Sequence, residues 1–334
     1  MKKTKIGIIG LGGISQVIHL PILSKFKDIE IVSICDMDYS KAKTLAHKHG
    51  IKSYYKSPDD MLKNEEQIEA VLVATNTDAH KDIAIKSINA GKDVLVERPL
   101  ARNYDEAKDV VNVAKKRKRK LMVGMNNRFR TDVIFARNFI REKELGDIYY
   151  IKAGWLKAKS SDKKWSTEKD KSGGGVMLDN GIAILDIGLW MLGFPEIKSV
   201  SAITYYHNTK SVEDTCIATI KFKNGSLLSM ESSWSMLSND FFYCDVYGTT
   251  GSTRINPLKI HKKMSGSLLD ITPKNVKMPS NLFKSSYELE LSSFISAVQG
   301  KSQLFSTGED ALKVMHVIES IYESAKSGKE IAFK

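Results

Sequence analysis

Cysteine is scarce in this 334-residue chain, and long apolar runs are absent. Only Cys35, Cys216 and Cys244 occur. They are odd in number, far apart and set in strand-like segments, which excludes a disulfide framework and offers no metal-ligand spacing. Each is read as a small buried hydrophobe in a reducing compartment. No uninterrupted run of about 18 apolar residues appears, so no membrane span is expected. A strand beginning at residue 5 leaves no room for a signal peptide, and the expected location is the cytoplasm. Acids are outnumbered, 39 against 51 lysines and arginines, for a formal charge of +12. Aromatic residues do not interleave with the densest cationic run, Lys115 to Lys120. That run reads as the solvated end of a helix, where the negative pole favours cations, and no nucleic-acid module is expected. The surplus charge also suits an anionic small molecule such as a phosphorylated or nucleotide-linked sugar. No internal repeat is present.

What the chain does contain is organised around Lys5 to Ser15, KIGIIGLGGIS. Ile6, Ile8 and Ile9 read as a buried parallel strand, Gly10 and Gly12 as a tight turn, and Ile14, Val17 and Ile18 as the apolar spacing of a helix. Strand, glycine turn and helix in that order begin a dinucleotide-binding unit. A turn without Cβ atoms lets main-chain N–H groups approach a pyrophosphate at the positive end of a helix. Ser15 stands at the third small position. A second strand, Ile29 to Asp36, ends in an acid 21 residues past Ser15, where a carboxylate can accept hydrogen bonds from the adenine ribose hydroxyls. A phosphate there would be repelled, and Met37 and Asp38 follow without an arginine. NAD is therefore favoured over NADP.

The alternation continues. Ala70 to Ala74, Asp93 to Val96 and Leu121 to Val123 read as strands separated by helices. Thr75, Asn76 and Thr77 lie at the carboxyl end of one of them, where open α/β sheets bind ligands. Asn103 with Glu106 resembles a capping box. The expectation is α/β: a Rossmann-type doubly wound parallel sheet over residues 1–124. From residue 125 to 334 the period changes to two. Ile148 to Leu156, Val200 to Tyr206, Thr215 to Phe222, Leu227 to Met230, Phe241 to Tyr247 and Ser252 to Ile255 read as strands, with Asn224-Gly225 a hairpin turn. Helices are expected at Asp132 to Arg141, Val176 to Leu192, Tyr287 to Gln299 and Gly308 to Ser327, the last free to pack back on the first domain. Lys262 to Phe283 reads as a surface connection. This second part is expected to be an α+β domain with an open-faced, mainly antiparallel sheet. A second copy of the chain is the simplest cover for that face.

Two stretches carry chemistry. Val94 to Ala101, VLVERPLA, ends a strand in Glu97-Arg98-Pro99. Gly173 to Gly193, GGGVMLDNGIAILDIGLWMLG, sets Asp179 and Asp186 seven apart on one side of an apolar helix. Buried acids are costly unless paired or functional. Asp186 reads as a paired carboxylate that positions the helix, and Asp179, near the glycine run, as a functional one.

Those motifs resemble the glucose–fructose oxidoreductase, inositol dehydrogenase and rhizopine-catabolism family (Gfo/Idh/MocA). The resemblance runs through GLGGIS, SICD ending at Asp36, ATNTDAH ending at His80, AGKDVLVERPLA, VGMNNRF from Val123, SGGGVMLDNGIAILD from Ser172, SVEDT from Ser211 and FKNGSL from Phe222. It implies a nucleotide-binding domain, a substrate domain often buried in dimers or tetramers, and oxidation or reduction of sugars, cyclitols and related polyols with NAD(P). Two positions depart from the pattern. The family's Glu-Lys-Pro is here Glu97-Arg98-Pro99. Its Asp-x-Gly-x-His-x-x-Asp retains Asp179, Gly181 and Asp186, but Ala183 stands where the histidine exchanges a proton.

Alanine cannot move a proton, and arginine, always charged, cannot replace lysine in that role. Arginine can still stabilise a developing alkoxide or bind an oxyanion. The expected catalytic residues are therefore Asp179 as acid–base group and Arg98 as electrostatic clamp. Cofactor binding is expected from Gly10, Gly12, Gly13, Ile14, Asp36, Thr75, Asn76, His80, Glu97 and Arg98. Substrate binding is expected from Trp165, Asp179 and Asn180, and no metal is expected. The leading expectation is an NAD(P)-dependent oxidoreductase acting on the CH–OH groups of a sugar or polyol. Arg98 and Ala183 keep open a nucleotide-holding regulatory protein, and, behind it, a glycoside-cleaving enzyme with a recycled hydride.

Overall fold

The computed structural model describes residues 3–158, 164–236, 239–275 and 277–333. The chain divides into two compact units, Met1–Asn126 with Lys284–Leu312, and Asn127–Phe283 with Lys313–Lys334.

The first unit is built on six strands: β1 (Thr4–Ile9), β2 (Ile29–Cys35), β3 (Ser53–Tyr55), β4 (Ala70–Val73), β5 (Asp93–Glu97) and β6 (Leu121–Gly124). Their order is β3-β2-β1-β4-β5-β6, and every pairing is parallel. Helices cover both faces of such a sheet, so its central strands are apolar throughout; all four residues of β4 are buried. Strand order reverses between β1 and β4, which opens a crevice at their carboxyl ends. The helices start where the sequence signals them. Asp38 Oδ1 accepts from Lys41 N at 3.0 Å, and Asn103 Oδ1 accepts from Glu106 N at 2.9 Å. The cationic run closes the helix Tyr104–Arg117, with Lys118 in the left-handed conformation after it. The first helix departs from expectation. Ser15–His19 forms a π-turn, and its buried residues are Ser15, Ile18 and His19. Val17 points outward and is 72% exposed. The wider turn rotates the apolar stripe.

The second unit carries a nine-stranded sheet: β7 (Ile148–Leu156), β8 (Ile197–Tyr205), β9 (Thr215–Phe222), β10 (Leu227–Ser233), β11 (Phe241–Gly248), β12 (Gly251–Ile255), β13 (Lys259–Met264), β14 (Ser267–Asp270) and β15 (Ile331–Ala332). The order is β14-β13-β12-β11-β7-β10-β9-β8-β15. All pairs are antiparallel except β10 with β7, which run parallel. The β13–β14 hairpin corrects the reading of Lys262 to Phe283 as a plain connection. Its strands, KIHKKM and SLLD, do not alternate apolar with polar residues and bury only Ile260, so the pattern gave no contrast.

One face of this sheet packs on the helix Ile182–Leu192. Gly188 lies so close to β10 that a Cβ there would stand 2.7 Å from Leu228. The stretch Lys169–Leu192 is long and apolar enough to cross a membrane, but 83% of its most apolar window is buried inside the protein, as in a core helix. The opposite face presents Tyr150 stacked on Tyr247 at 5.6 Å, with Ile203 and Ile217 exposed. The three cysteines are free and buried, on β2, β9 and β11. Burial raises their thiols, Cys35 and Cys244 to about 12, which leaves them chemically quiet.

Candidate functional site

In the first unit, the residues expected to bind a nucleotide gather at the carboxyl ends of β1, β2, β4 and β5. Gly10 has φ +94°, and a Cβ there would meet the Ala74 carbonyl carbon at 2.6 Å, so only glycine fits. Gly12 and Gly13 are exposed, with nothing within 4 Å of the position a Cβ would take. Ser15 Oγ donates to Gly10 O at 2.6 Å and ties the helix to the turn, which is how serine serves at the third small position. Asp36 closes the turn from the side. Its Oδ2 accepts from Leu11 N at 2.8 Å, and its Oδ1 from Asp38 N at 2.9 Å and Lys41 Nζ at 3.1 Å. An exposed main-chain cradle beside a carboxylate at the end of β2 fits the pyrophosphate and adenine ribose of NAD. Ile14 is half-buried behind the turn, while Thr75 and Asn76 lead into the helix Thr77–Asn89.

At the end of β5, Glu97 Oε1 lies 2.8 Å from His19 Nε2. Burial pushes the Glu97 carboxyl up, but the His19 hydrogen bond and the Arg98 charge outweigh it and hold it below its ordinary value. His19 is fully buried and its Nδ1 has no partner among the described residues. His80, 1% exposed, directs Nδ1 to Pro99 O at 2.7 Å and Nε2 to Thr75 O at 3.2 Å. Burial lowers its pKa against the pull of both carbonyls. A neutral ring donates from one nitrogen, and Pro99 at the shorter distance is the natural acceptor. His80 therefore braces the Arg98–Pro99 loop from beneath.

In the second unit, the parallel pairing of β7 with β10 brings their carboxyl ends together, beside the amino end of β9. Asp214 precedes β9, Trp234 follows β10 and Lys157 follows β7. The expected helix Val176 to Leu192 begins with a second π-turn, Met177–Gly181, which packs against these strand ends and carries Asp179 and Asn180. The turn offsets the register between Asp179 and Asp186, so the two acids meet different environments. Trp234 Nε1 donates to Asp179 Oδ2 at 3.2 Å. Asp186 is 1% exposed and held bidentately by Arg128 at 2.6 and 2.8 Å. Ala183 is buried, 3% exposed. Trp165 is half-buried in the turn Lys164–Thr167.

Several contributors were not singled out from the sequence. Glu213, 2% exposed, accepts from Gly175 N at 3.0 and 3.1 Å, from Met177 N at 2.9 Å and from Tyr322 Oη at 2.9 Å. Burial raises its pKa, against those donors. The glycines are needed for the approach. A Cβ at Gly175 would meet Glu213 O at 1.9 Å, and one at Gly174 would meet Tyr322 Oη at 2.1 Å. Asp214 O accepts from Trp234 N at 2.7 Å. The Glu213 carboxylate thus holds the main chain that leads into the turn of Asp179, and the Asp214 carbonyl holds the main chain of its indole partner. The adjacency of the two acids of SVEDT just ahead of a strand was the available signal. His19 and Lys157 had none, because each completes an apolar element in sequence.

The two-unit fold has known relatives. Residues 4–125 match the family model for the NAD-binding Rossmann fold of the GFO_IDH_MocA oxidoreductases, and residues 137–333 match that family's C-terminal alpha/beta domain. D-glucoside 3-dehydrogenase of Escherichia coli (strain K12) is 27% identical, with 98% of this chain and 97% of that one aligned. The NAD(+)-dependent scyllo-inositol 2-dehydrogenase of Bacillus subtilis (strain 168) is 26% identical over 98% of this chain and 96% of its own. Among solved structures, levoglucosan dehydrogenase in complex with NADH superposes with a TM-score of 0.92 at 21% identity over all of both chains. With both domain models matched, the chain belongs to the Gfo/Idh/MocA oxidoreductase family, and residues 4–125 are that family's NAD-binding Rossmann domain.

Proposed function

We propose that this protein is an NAD-dependent dehydrogenase that oxidises a CH–OH group of a sugar, cyclitol or related polyol, or reduces the corresponding ketone. The carrying observation is an acid, Asp179, fixed in place by Trp234 Nε1 at 3.2 Å, in a chain whose other unit holds an open glycine cradle closed by Asp36. When bound, NAD supplies the hydride acceptor for the carbinol carbon. Gly12 and Gly13 would offer main-chain N–H groups to its pyrophosphate, and Asp36 would accept from its ribose hydroxyls.

Oxidation also requires that the hydroxyl proton leave. No imidazole stands at Ala183, so Asp179 takes that proton, directly or through a water. Arg98 stabilises charge on the reacting oxygen. His19, through Glu97, and His80, through Pro99, hold the loop that carries it. Asn180 and Trp165 bind the substrate, and the surplus of cations favours an anionic derivative. The enzyme acts in the cytoplasm as a homodimer or homotetramer. The uncovered tyrosine-rich sheet face supports that assembly.

NADH absorbance with a panel of sugars, cyclitols and ketosugars tests this reading. Turnover that Asp179→Asn lowers by about 10²-fold or more, with NADH binding intact, is the expected result. No turnover in either direction across the panel refutes it.

A further inference from the structure

Lys157 is the one cation around Asp179 whose charge the protein leaves uncompensated among the described residues. It follows β7, and its N–H donates to Ser233 O at 2.9 Å, which fixes the main chain there. The side chain is half-buried. Its ammonium lies 4.6 Å from the centre of the Trp155 ring and 3.4 Å from Asn180 Oδ1. No carboxylate among the described residues pairs with it.

The next cation along the same wall is different. Trp155 packs on Phe242 at 5.6 Å, and Arg130 lies 4.6 Å over Phe242. Asp132 binds Arg130 through both carboxylate oxygens, at 2.7 and 3.1 Å, so that charge is already neutralised.

Asn180 adds a second mark. It is 1% exposed, and its Nδ2 has no acceptor among the described residues. A buried amide donor left open is a deficit expected where a ligand or a bound water completes the hydrogen bonding. Asn180 and Lys157 together present donors and a positive charge. Asp179, the residue before Asn180, presents an acceptor. An oxyanion fits the first pair, and a hydroxyl fits the second group.

We propose that Lys157, held by Asn180, is the specificity-determining cation of the site, and that the substrate is a polyol bearing a carboxylate or a phosphate. Both groups offer the same chemistry, a charged oxygen accepting from an ammonium. The indole under Lys157 leaves that ammonium poorly hydrated on one side and so raises its preference for an anion over water.

The inference rests on the dehydrogenase reading, and matched substrates keep the two apart. D-glucose, D-glucuronate and D-glucose 6-phosphate form one set; myo-inositol and its monophosphate form another. With NAD and the wild-type enzyme, one anionic class should exceed its neutral counterpart in kcat/KM by about tenfold or more. The carboxylate and phosphate arms identify which. In Lys157→Met that ratio should collapse through KM, and Lys157→Arg should restore much of it. Preference for the neutral member, or an unchanged ratio in Lys157→Met, overturns the proposal. Turnover of no substrate in either set, with turnover elsewhere in the sugar, cyclitol and ketosugar panel, overturns this proposal alone; turnover of nothing in that panel in either direction overturns the dehydrogenase reading, and this one with it.

Discussion

Glu213 is the strongest test of how the second unit holds its acid. Its Oε1 accepts from Met177 N, Tyr322 Oη and Gly175 N, and its Oε2 shares the Gly175 N–H. Glu213→Gln can keep the carbonyl oxygen at the Oε1 position and place its amide at the Oε2 position. One N–H then faces another at Gly175. A buried donor without its acceptor costs about 1–3 kcal/mol, and loss of the buried carboxylate, whose pKa burial has raised, returns part of that. The net expected cost of Glu213→Gln is about 1–2 kcal/mol. Glu213→Ala strands three donors, for about 3–6 kcal/mol.

The functional consequence follows from what those donors carry. Gly175 and Met177 begin the turn that bears Asp179, and a displacement of about 1 Å at a reacting group can cost about 10²-fold in rate. Melting curves, NADH titration and steady-state kinetics on both variants separate the effects. The expected result for Glu213→Gln is a modest loss of stability, kcat reduced by about tenfold or more, and NADH affinity unchanged, since Glu213 belongs to the other unit. Unaltered kcat in a destabilised Glu213→Gln would refute the link between this clamp and Asp179. Unaltered stability in Glu213→Ala would refute the hydrogen-bond argument itself.

Asp36→Ala should weaken NADH binding by about tenfold or more, read by fluorescence titration, because the turn loses its side clamp as well as the ribose acceptor. Asp186→Asn leaves Arg128 buried without its counter-charge, and a melting experiment should report a loss of about 3–5 kcal/mol. His80 has a lowered pKa when folded, so the unfolded chain binds the extra proton first. Its contribution is complete above about pH 6.5 and is lost as pH falls below that value, a loss that His80→Gln should remove from the stability profile. Glu213 acts in the opposite sense. Its raised pKa makes its contribution fall as pH rises from about 4.5 upward, and Glu213→Gln should flatten that limb.

The first unit was legible because its signals are local. A buried strand followed by Gly10 has few alternatives, and an acid at the end of the next strand falls beside it by the geometry of the crossover. The caps at Asp38 and Asn103 are contacts within one turn of chain, so sequence spacing finds them. Val17 misled because a π-turn does not change composition; it changes which residues face inward. The β13–β14 hairpin was missed because it buries too little to need an apolar pattern.

The residues that surround Asp179 were beyond sequence reasoning for a different reason. Glu213, Tyr322, Trp234 and Lys157 come from segments far apart in the chain, and each is ordinary in its own neighbourhood. The parallel pairing of β7 with β10 brings Trp234 and Lys157 to one end of the sheet, and no local pattern specifies that pairing. The amino-acid sequence by itself determined most of the strands, the glycine cradle, the acid at Asp36 and the candidacy of Asp179, because each depends on spacing along the chain. Only the tertiary structure decided that Asp186 is neutralised by Arg128, that Glu213 holds the turn of Asp179 and that Lys157 meets Asn180 and Trp155, because pairing depends on which distant side chains burial brings within hydrogen-bond reach.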